Sequence, residues 1–389
     1  MFSARTRWDR TANRLSRILE ARRRAGAFLF DLTESNPTRA GLIGPEGLLQ
    51  PLAAPEATLY EPSPCGLPAA REAVAADYRR RGATLDAGQV VLTASTSEAY
   101  AHLFKLLCDP GDQVLVPAPS YPLFEFLATL ESLETRRYPL TYDGEWHLAP
   151  AALAAAVTPR TRAIVLVNPN IPTGSFLKQP EAGTLLELSA ERRLPLIADE
   201  VFADYSFGAD PRRVVSLAAL QGPALTFSLG GLSKSCGLPQ VKLGWIAVSG
   251  PAALRDEALA RLEIVADTYL SVGTPVQHAA PRWLARHQAL QAPIAARVRA
   301  NRDALAALVG GGSPASLLHT EGGWYAVLKV PASLPEEERV CRLLETRGVL
   351  VHPGYFFEFP AEAYLVVSLL PPAEAFAEGV RRILEDLVL

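Results

Sequence analysis

Lysine is scarce in this chain: five residues, Lys105, Lys178, Lys234, Lys242 and Lys329, stand against thirty-three arginines. A composition that writes Arg wherever a cation will do keeps Lys where an amine is needed. Only Lys can shed its proton near neutrality and become a nucleophile. Lys234 lies in Ser228-Leu-Gly-Gly-Leu-Ser-Lys-Ser-Cys-Gly-Leu-Pro-Gln-Val-Lys-Leu-Gly-Trp245, a Gly/Ser-rich turn with a second cation, Lys242, eight residues on. An amine in a small-residue loop beside another cation suits an aldehyde that carries a phosphate. A lone Lys would be better read as a surface residue, but four other stretches argue against that here.

Ala94-Ser-Thr-Ser-Glu-Ala99 runs from a strand into a helix and offers Ser95, Thr96 and Ser97 at a helix N-terminus, where backbone N–H groups and the dipole favour an anion. Simple capping explains the same residues equally well. Ala118-Pro-Ser-Tyr121 places an aromatic on a Pro-stiffened turn, either to stack on a planar ring or to fill the core. Asn168-Pro-Asn-Ile-Pro-Thr-Gly174 is a stiff turn, and Asp199-Glu-Val-Phe202 ends a buried apolar strand in a carboxylate. Such an acid is costly without a cationic partner.

The elements that must hold these residues read as α/β. Helical patterns over 66–82 and 96–107 alternate with compact apolar runs at 89–93, 113–117, 163–167, 196–198, 224–227 and 245–248, as in a mostly parallel sheet. Functional residues gather at the carboxyl ends of such strands, which is where each stretch above falls. A helix-rich part from 251 to about 308 leads to strands at 324–329, 349–351 and 363–368 and a helix at 372–387. The expected organisation is a three-layer sandwich with a smaller α+β domain. Residues 1–45 form an N-terminal arm with part of the small domain, 46–285 the large domain and 286–389 the rest of the small one. Gly310-Gly-Gly312 is a flexible joint near the boundary.

Bulk properties narrow the class. The formal charge of −3 gives no surplus for nucleic acid, and no apolar run reaches membrane-spanning length. Four widely spaced cysteines without CxxC imply free thiols in a reducing, cytoplasmic setting, and six scattered histidines imply no metal site. Eight arginines within residues 1–24 resemble a transit segment, but they read better as the solvated face of a helix burying Leu15, Ile18 and Leu19.

An amine, an anion cradle, a flat aromatic and a buried carboxylate together meet the needs of pyridoxal 5′-phosphate. Over nearly its whole length, from Asn36-Pro-Thr38 onward, the chain resembles the fold-type I aminotransferases of the aspartate aminotransferase superfamily. Asn-Pro-x-x-Pro-Thr-Gly, Asp-Glu-Val-Phe and Gly-Leu-Ser-Lys-Ser carry the resemblance. It implies a ping-pong transfer between an amino acid and a 2-oxo acid, with Lys234 forming an imine with the cofactor and Asp199 pairing with the pyridine nitrogen. It implies that Tyr121 stacks on the ring, and that Ser95, Thr96, Ser97, Ser233 and Lys242 surround the phosphate. Tyr60 would reach the phosphate of a neighbouring subunit, hence a homodimer. Asn168, Ile171 and Phe202 would line the ring, and Asn36 and Arg39 the substrate side.

Four positions depart from that family. Ile171 and Phe202 stand where Asn and Tyr usually donate to the cofactor's 3′-oxygen, with Asn168 and Asn170 as candidates to compensate. Lys242 stands for an Arg, and Val366 for the arginine that grips the substrate carboxylate. Arg39 is a substitute for that grip or, more simply, a surface cation. These departures keep β-elimination, decarboxylation or a biosynthetic cyclisation open as alternatives. A regulator carrying the same fold would need a DNA-binding domain for which the ~35 residues before Asn36 are too few.

Overall fold

The computed structural model describes residues 1–388. An eight-stranded sheet runs in the order Val90–Thr93, Gly244–Ser249, Thr226–Gly231, Leu196–Asp199, Thr161–Val167, Gln113–Ala118, Glu134–Tyr142, Trp146–Leu148. Its central pairings are parallel. Gly244–Ser249 is antiparallel to both neighbours, and Trp146–Leu148 is antiparallel to Glu134–Tyr142. The central strands read as unbroken apolar runs because helices cover both faces. On one side the helices Pro68–Arg80 and Thr274–Leu284 pack Val74, Tyr78 and Trp283 against Leu92, Leu232 and Trp245. Further along that same side, Ala182 and Leu185 of the helix Gln179–Arg192 meet Ile164, Leu166 and Leu196, while on the other side Tyr100 and Leu103 of the helix Thr96–Leu107 and Leu262 of the helix Ala252–Tyr269 lie against Val91, Leu229 and Ile246.

A four-stranded antiparallel sheet, Ser316–Leu317, Tyr325–Lys329, Tyr364–Ser368 and His352–Pro353, forms the second layer system. The chain's start is stitched beside it: Phe30–Asp31 pairs in parallel with Val349–Leu350 as a separate two-stranded sheet, and Ser368 N–H donates to the Leu32 carbonyl at 2.7 Å. Two expectations need correction. The strand read at 224–227 begins two residues later and continues to Gly231, so it delivers Lys234 directly into a one-turn helix, Leu232–Ser235. Glu134–Tyr142 is a strand that the apolar pattern does not announce. Glu134, Arg136 and Arg137 are exposed along it, and Tyr138 is its one buried side chain, so it lacks the apolar run of the central strands.

Candidate active site

Lys234 and Asp199 stand at the carboxyl ends of adjacent parallel strands, Thr226–Gly231 and Leu196–Asp199. The sheet thus brings together an amine and an acid 35 residues apart in sequence. Burial pushes the Lys234 amine down to about 8, with the Asp199 charge pulling it partly back. Burial pushes the Asp199 carboxyl up to about 6, opposed by the Val201 N–H, the Tyr100 hydroxyl and Lys234. Both groups therefore change charge within reach of neutral pH. That is what a proton-transferring site requires.

Two weak bonds hold the acid: Val201 N–H donates to Oδ1 at 3.2 Å and Tyr100 O–H to Oδ2 at 3.3 Å. Tyr100 escaped the sequence reading because its spacing with Leu103 and Phe104 on the helix Thr96–Leu107 looks like core, and it is indeed buried. Trp324 escaped too. Its ring centroid lies 4.9 Å from Lys234 Nζ, and the Phe202 ring lies 5.5 Å away. Phe202 and Tyr205 meet Trp324 edge-on at 5.0 Å each, and Tyr205 O–H donates to the Lys234 carbonyl at 2.7 Å. The only signal was an aromatic pair after two glycines, Gly322-Gly-Trp-Tyr325.

The helix Thr96–Leu107 opens beside this cluster. Ser95 caps the helix, its hydroxyl oxygen accepting from Glu98 N–H at 3.2 Å, which leaves its O–H, with those of Thr96 and Ser97, free to donate at the helix start. Gly244 sits hard against that start: a Cβ there would stand 2.9 Å from the Ser95 carbonyl carbon and 3.1 Å from Thr96 N. Ser233 shares the one-turn helix with Lys234. Lys242 is exposed and makes no ion pair among the described residues. A helix N-terminus with free hydroxyls near an unspent cation fits a phosphate.

Other expected residues take different places. Asn168 and Asn170 are bonded elsewhere. Asn168 gives its amide N–H to Val214 O at 2.8 Å and takes Leu177 N–H at 2.9 Å; Asn170 gives to Pro119 O and Thr173 Oγ1 and takes the Ser120 hydroxyl. Asn170 holds the turn together, and Asn168 ties its start to the neighbouring backbone. Ile171 and Phe202 are buried apolar walls. Tyr121 is 42% exposed at the mouth, and Tyr60, 68% exposed, lines a surface pocket with Leu270, Val272 and Gln277. Asn36 Oδ1 accepts from the Thr38 N–H and hydroxyl, a turn-holding job. Arg39 points into solvent and pairs with Glu34 at 3.0 Å. Val366 is fully buried between Val327 and His352 on the small sheet, so no cation occupies that position.

A family model described as aminotransferase class I and II matches residues 45–383. The chain belongs to that family. An alanine aminotransferase of Mycobacterium tuberculosis is 28% identical over 373 residues, covering 93% of this chain and 86% of the relative. An arginine–pyruvate transaminase of Pseudomonas aeruginosa is 32% identical over 329 residues, 82% of this chain and 80% of its own. A solved alanine aminotransferase from Pyrococcus furiosus superposes over 100% of both chains with a TM-score of 0.90 at 23% identity. As an aminotransferase the enzyme moves an amino group between an amino acid and a 2-oxo acid. Elimination, decarboxylation and cyclisation are not favoured. Aminotransferases of this class generally depend on pyridoxal 5′-phosphate, and the site described above fits that group.

Proposed function

We propose that this aminotransferase works in two half-reactions on pyridoxal 5′-phosphate held covalently by Lys234, with alanine and pyruvate as one of its couples. The half-buried Lys234 amine and Asp199 carboxylate, set at adjacent strand ends, are the observation that carries this reading. When bound, the cofactor supplies an electron sink for the pair released as the donor's Cα loses its proton. The chain's own residues supply the rest. With its amine brought down to about 8, Lys234 is poised to take that proton and return it elsewhere as base and then acid. Asp199, under-supplied with donors, is the partner for a cationic ring nitrogen. Tyr100 holds its carboxylate in place. Ser95, Thr96, Ser97, Ser233 and Lys242 take the phosphate, Ile171, Phe202 and Trp324 keep water out, and Tyr121 covers the mouth.

Pyruvate stands in the names of the arginine–pyruvate relative and of a glutamate–pyruvate aminotransferase of Escherichia coli, and alanine in the mycobacterial one. That shared couple is the reason for choosing it here. The exposed Leu59, Tyr60, Ile264, Tyr269 and Leu270 support a homodimer, since a monomer rarely leaves so many large apolar side chains uncovered. We take residues 46–285 as the cofactor domain and the ends as the smaller one, and four free cysteines favour a cytoplasmic setting.

The test incubates the enzyme with pyridoxal phosphate, alanine and 2-oxoglutarate and follows new amino acid by mass spectrometry. Lys234→Ala should lose both the borohydride-fixed cofactor mass and turnover, by ~10²–10⁴-fold for a positioned acid–base group. Normal turnover with the cofactor fixed on another lysine would overturn the assignment.

A further inference from the structure

Trp324 reaches Lys234 on a short segment, Thr320–Trp324, that leads into the small sheet yet is fastened to the large one. Phe207 N–H donates to the Glu321 carbonyl and Gly323 N–H to the Tyr205 carbonyl, both at 2.9 Å. The Glu321 side chain, 2% exposed, lies between two cations of the large domain, Lys178 Nζ at 2.5 Å and Arg213 Nε at 2.7 Å. It also accepts Phe176 N–H at 3.1 Å. The cations are themselves spent: Lys178 donates to Phe176 O, and Arg213 to the Ser206 hydroxyl and Gly208 O. The junction is packed to contact, for a Cβ on Gly174 would stand 2.3 Å from the Gly322 carbonyl oxygen. A buried ionic cluster of this kind roughly breaks even in stability against apolar residues of the same shape. What it adds is one fixed arrangement.

The arrangement it fixes is at the site. Three residues beyond Glu321, the fully buried Trp324 closes on the Lys234 amine, braced edge-on by Phe202 and Tyr205. We propose that Glu321 is a positioning residue for Lys234: through its clasp on Lys178 and Arg213 it holds Trp324 over the amine and keeps the amine dry. This rests on Lys234 being the working amine, and nothing in the cofactor's chemistry is needed for it. Asp199 is the charged group acting on Lys234, from the neighbouring strand end. Phe202, Tyr205 and Trp324 form the neutral walls. Loosening Trp324 admits water, which favours the charged amine and raises its midpoint. Loss of the ring face acts the other way but more weakly.

The experiment is competitive acetylation of the cofactor-free protein across pH, with the Lys234 peptide read by mass spectrometry. Wild type should be half-reactive near pH 8. Glu321→Gln should move the midpoint up by about one unit, a tenfold smaller reactive fraction at neutral pH. Trp324→Leu should move it similarly, and the double variant no further than either alone, because both act through one contact. Arg339→Gln, which removes a buried cation bound to Pro331 O and Ser333 away from the site, should lower stability and leave the midpoint in place. A Glu321→Gln midpoint within about 0.2 unit of wild type, or additive shifts in the double variant, overturns the proposal. If Glu321→Gln does not give soluble protein, Lys178→Met opens the same clasp from its other side, and the same shift or its absence decides. Absence of transamination with a midpoint that shifts as expected would count against the proposed function alone.

Discussion

Asp199 and Glu200 are neighbours at the end of one strand, the first half-buried and the second buried, and desolvation lifts both above the usual carboxylate range, to about 6 and about 7. The strand's alternation sends them to opposite sides of the sheet. Behind it, Glu200 is saturated: it accepts the Ser216 hydroxyl at 2.8 Å, Leu217 N–H at 2.7 Å and the Ser228 hydroxyl at 3.1 Å, and Arg81 acts on it electrostatically. In front, Asp199 has two long bonds and an amine at the next strand end. A search for displaced pKa values would have chosen Glu200 as readily as Asp199. Unspent acceptor capacity facing a nucleophile is what separates a working acid from a structural one.

The sharpest way to break the comparison is to neutralise each acid without changing its shape. Asp199→Asn should cut kcat by ~10²-fold, the worth of a charge-assisted bond of about 1.5–3 kcal/mol, while leaving the fold intact. Glu200→Gln should leave kcat within about threefold and change stability instead, by about 1–2 kcal/mol at neutral pH. The sign of its pH effect follows from linkage. Glu200 titrates at about 7 in the folded chain against 4.5 for an ordinary Glu, so the unfolded state sheds its proton first. That contribution is fully present below pH 4.5 and is lost as pH rises through 7. Urea midpoints across that window should slope less in Glu200→Gln than in wild type. If Glu200→Gln loses activity as steeply as Asp199→Asn, the distinction between the two faces fails.

Next in size is Tyr100, the hydroxyl that belongs to the front side alone. Tyr100→Phe removes one donor to Asp199 and little volume, so kcat should fall by about fivefold, ~1 kcal/mol for one hydrogen bond. The fall should come with a higher Asp199 midpoint, since the bond favours the ionised carboxylate, seen as a rise in the acid limb of the kcat–pH profile. A profile that keeps its acid limb would make Tyr100 a packing residue.

The residues that advertised themselves in the sequence did so through covalent necessity. Lys234 stood out because an arginine-rich chain had kept a lysine there. Asp199 did so because an acid ended the apolar run Leu196-Ile-Ala198. The central strands were visible because burial on both faces writes a continuous apolar run. Glu134–Tyr142 was hidden because its exposed charges break that run. Tyr100 and Trp324 were hidden for a different reason: a buried aromatic looks the same whether it serves a core or a site, and only the tertiary contact separates them. Glu321 was hidden because its partners, Lys178 and Arg213, are more than 100 residues away. Asn168 was ambiguous because a polar residue beside a site can also be engaged by the backbone that packs on it, here Val214 O and Leu177 N–H.

The smallest effect expected is at Arg39, and it tests whether the comparison extends to the substrate side. Arg39 is 70% exposed and meets a Glu34 that is 19% exposed, a surface pair of the kind worth ~0–1 kcal/mol. A carboxylate clamp would need the opposite: a buried guanidinium with its fork unspent, as Asp199 has unspent oxygens. Arg39→Ala should therefore change KM for alanine by less than about twofold and stability by less than about 0.5 kcal/mol. The measurement is a pair of steady-state curves, alanine against fixed 2-oxoglutarate, for wild type and variant. A tenfold rise in KM at unchanged kcat would instead show that Arg39 leaves Glu34 to hold substrate, with the small domain closed in a way that this arrangement does not display. An unchanged KM leaves the substrate carboxylate to groups other than this cation, consistent with a small sheet that fills the Val366 position with apolar packing.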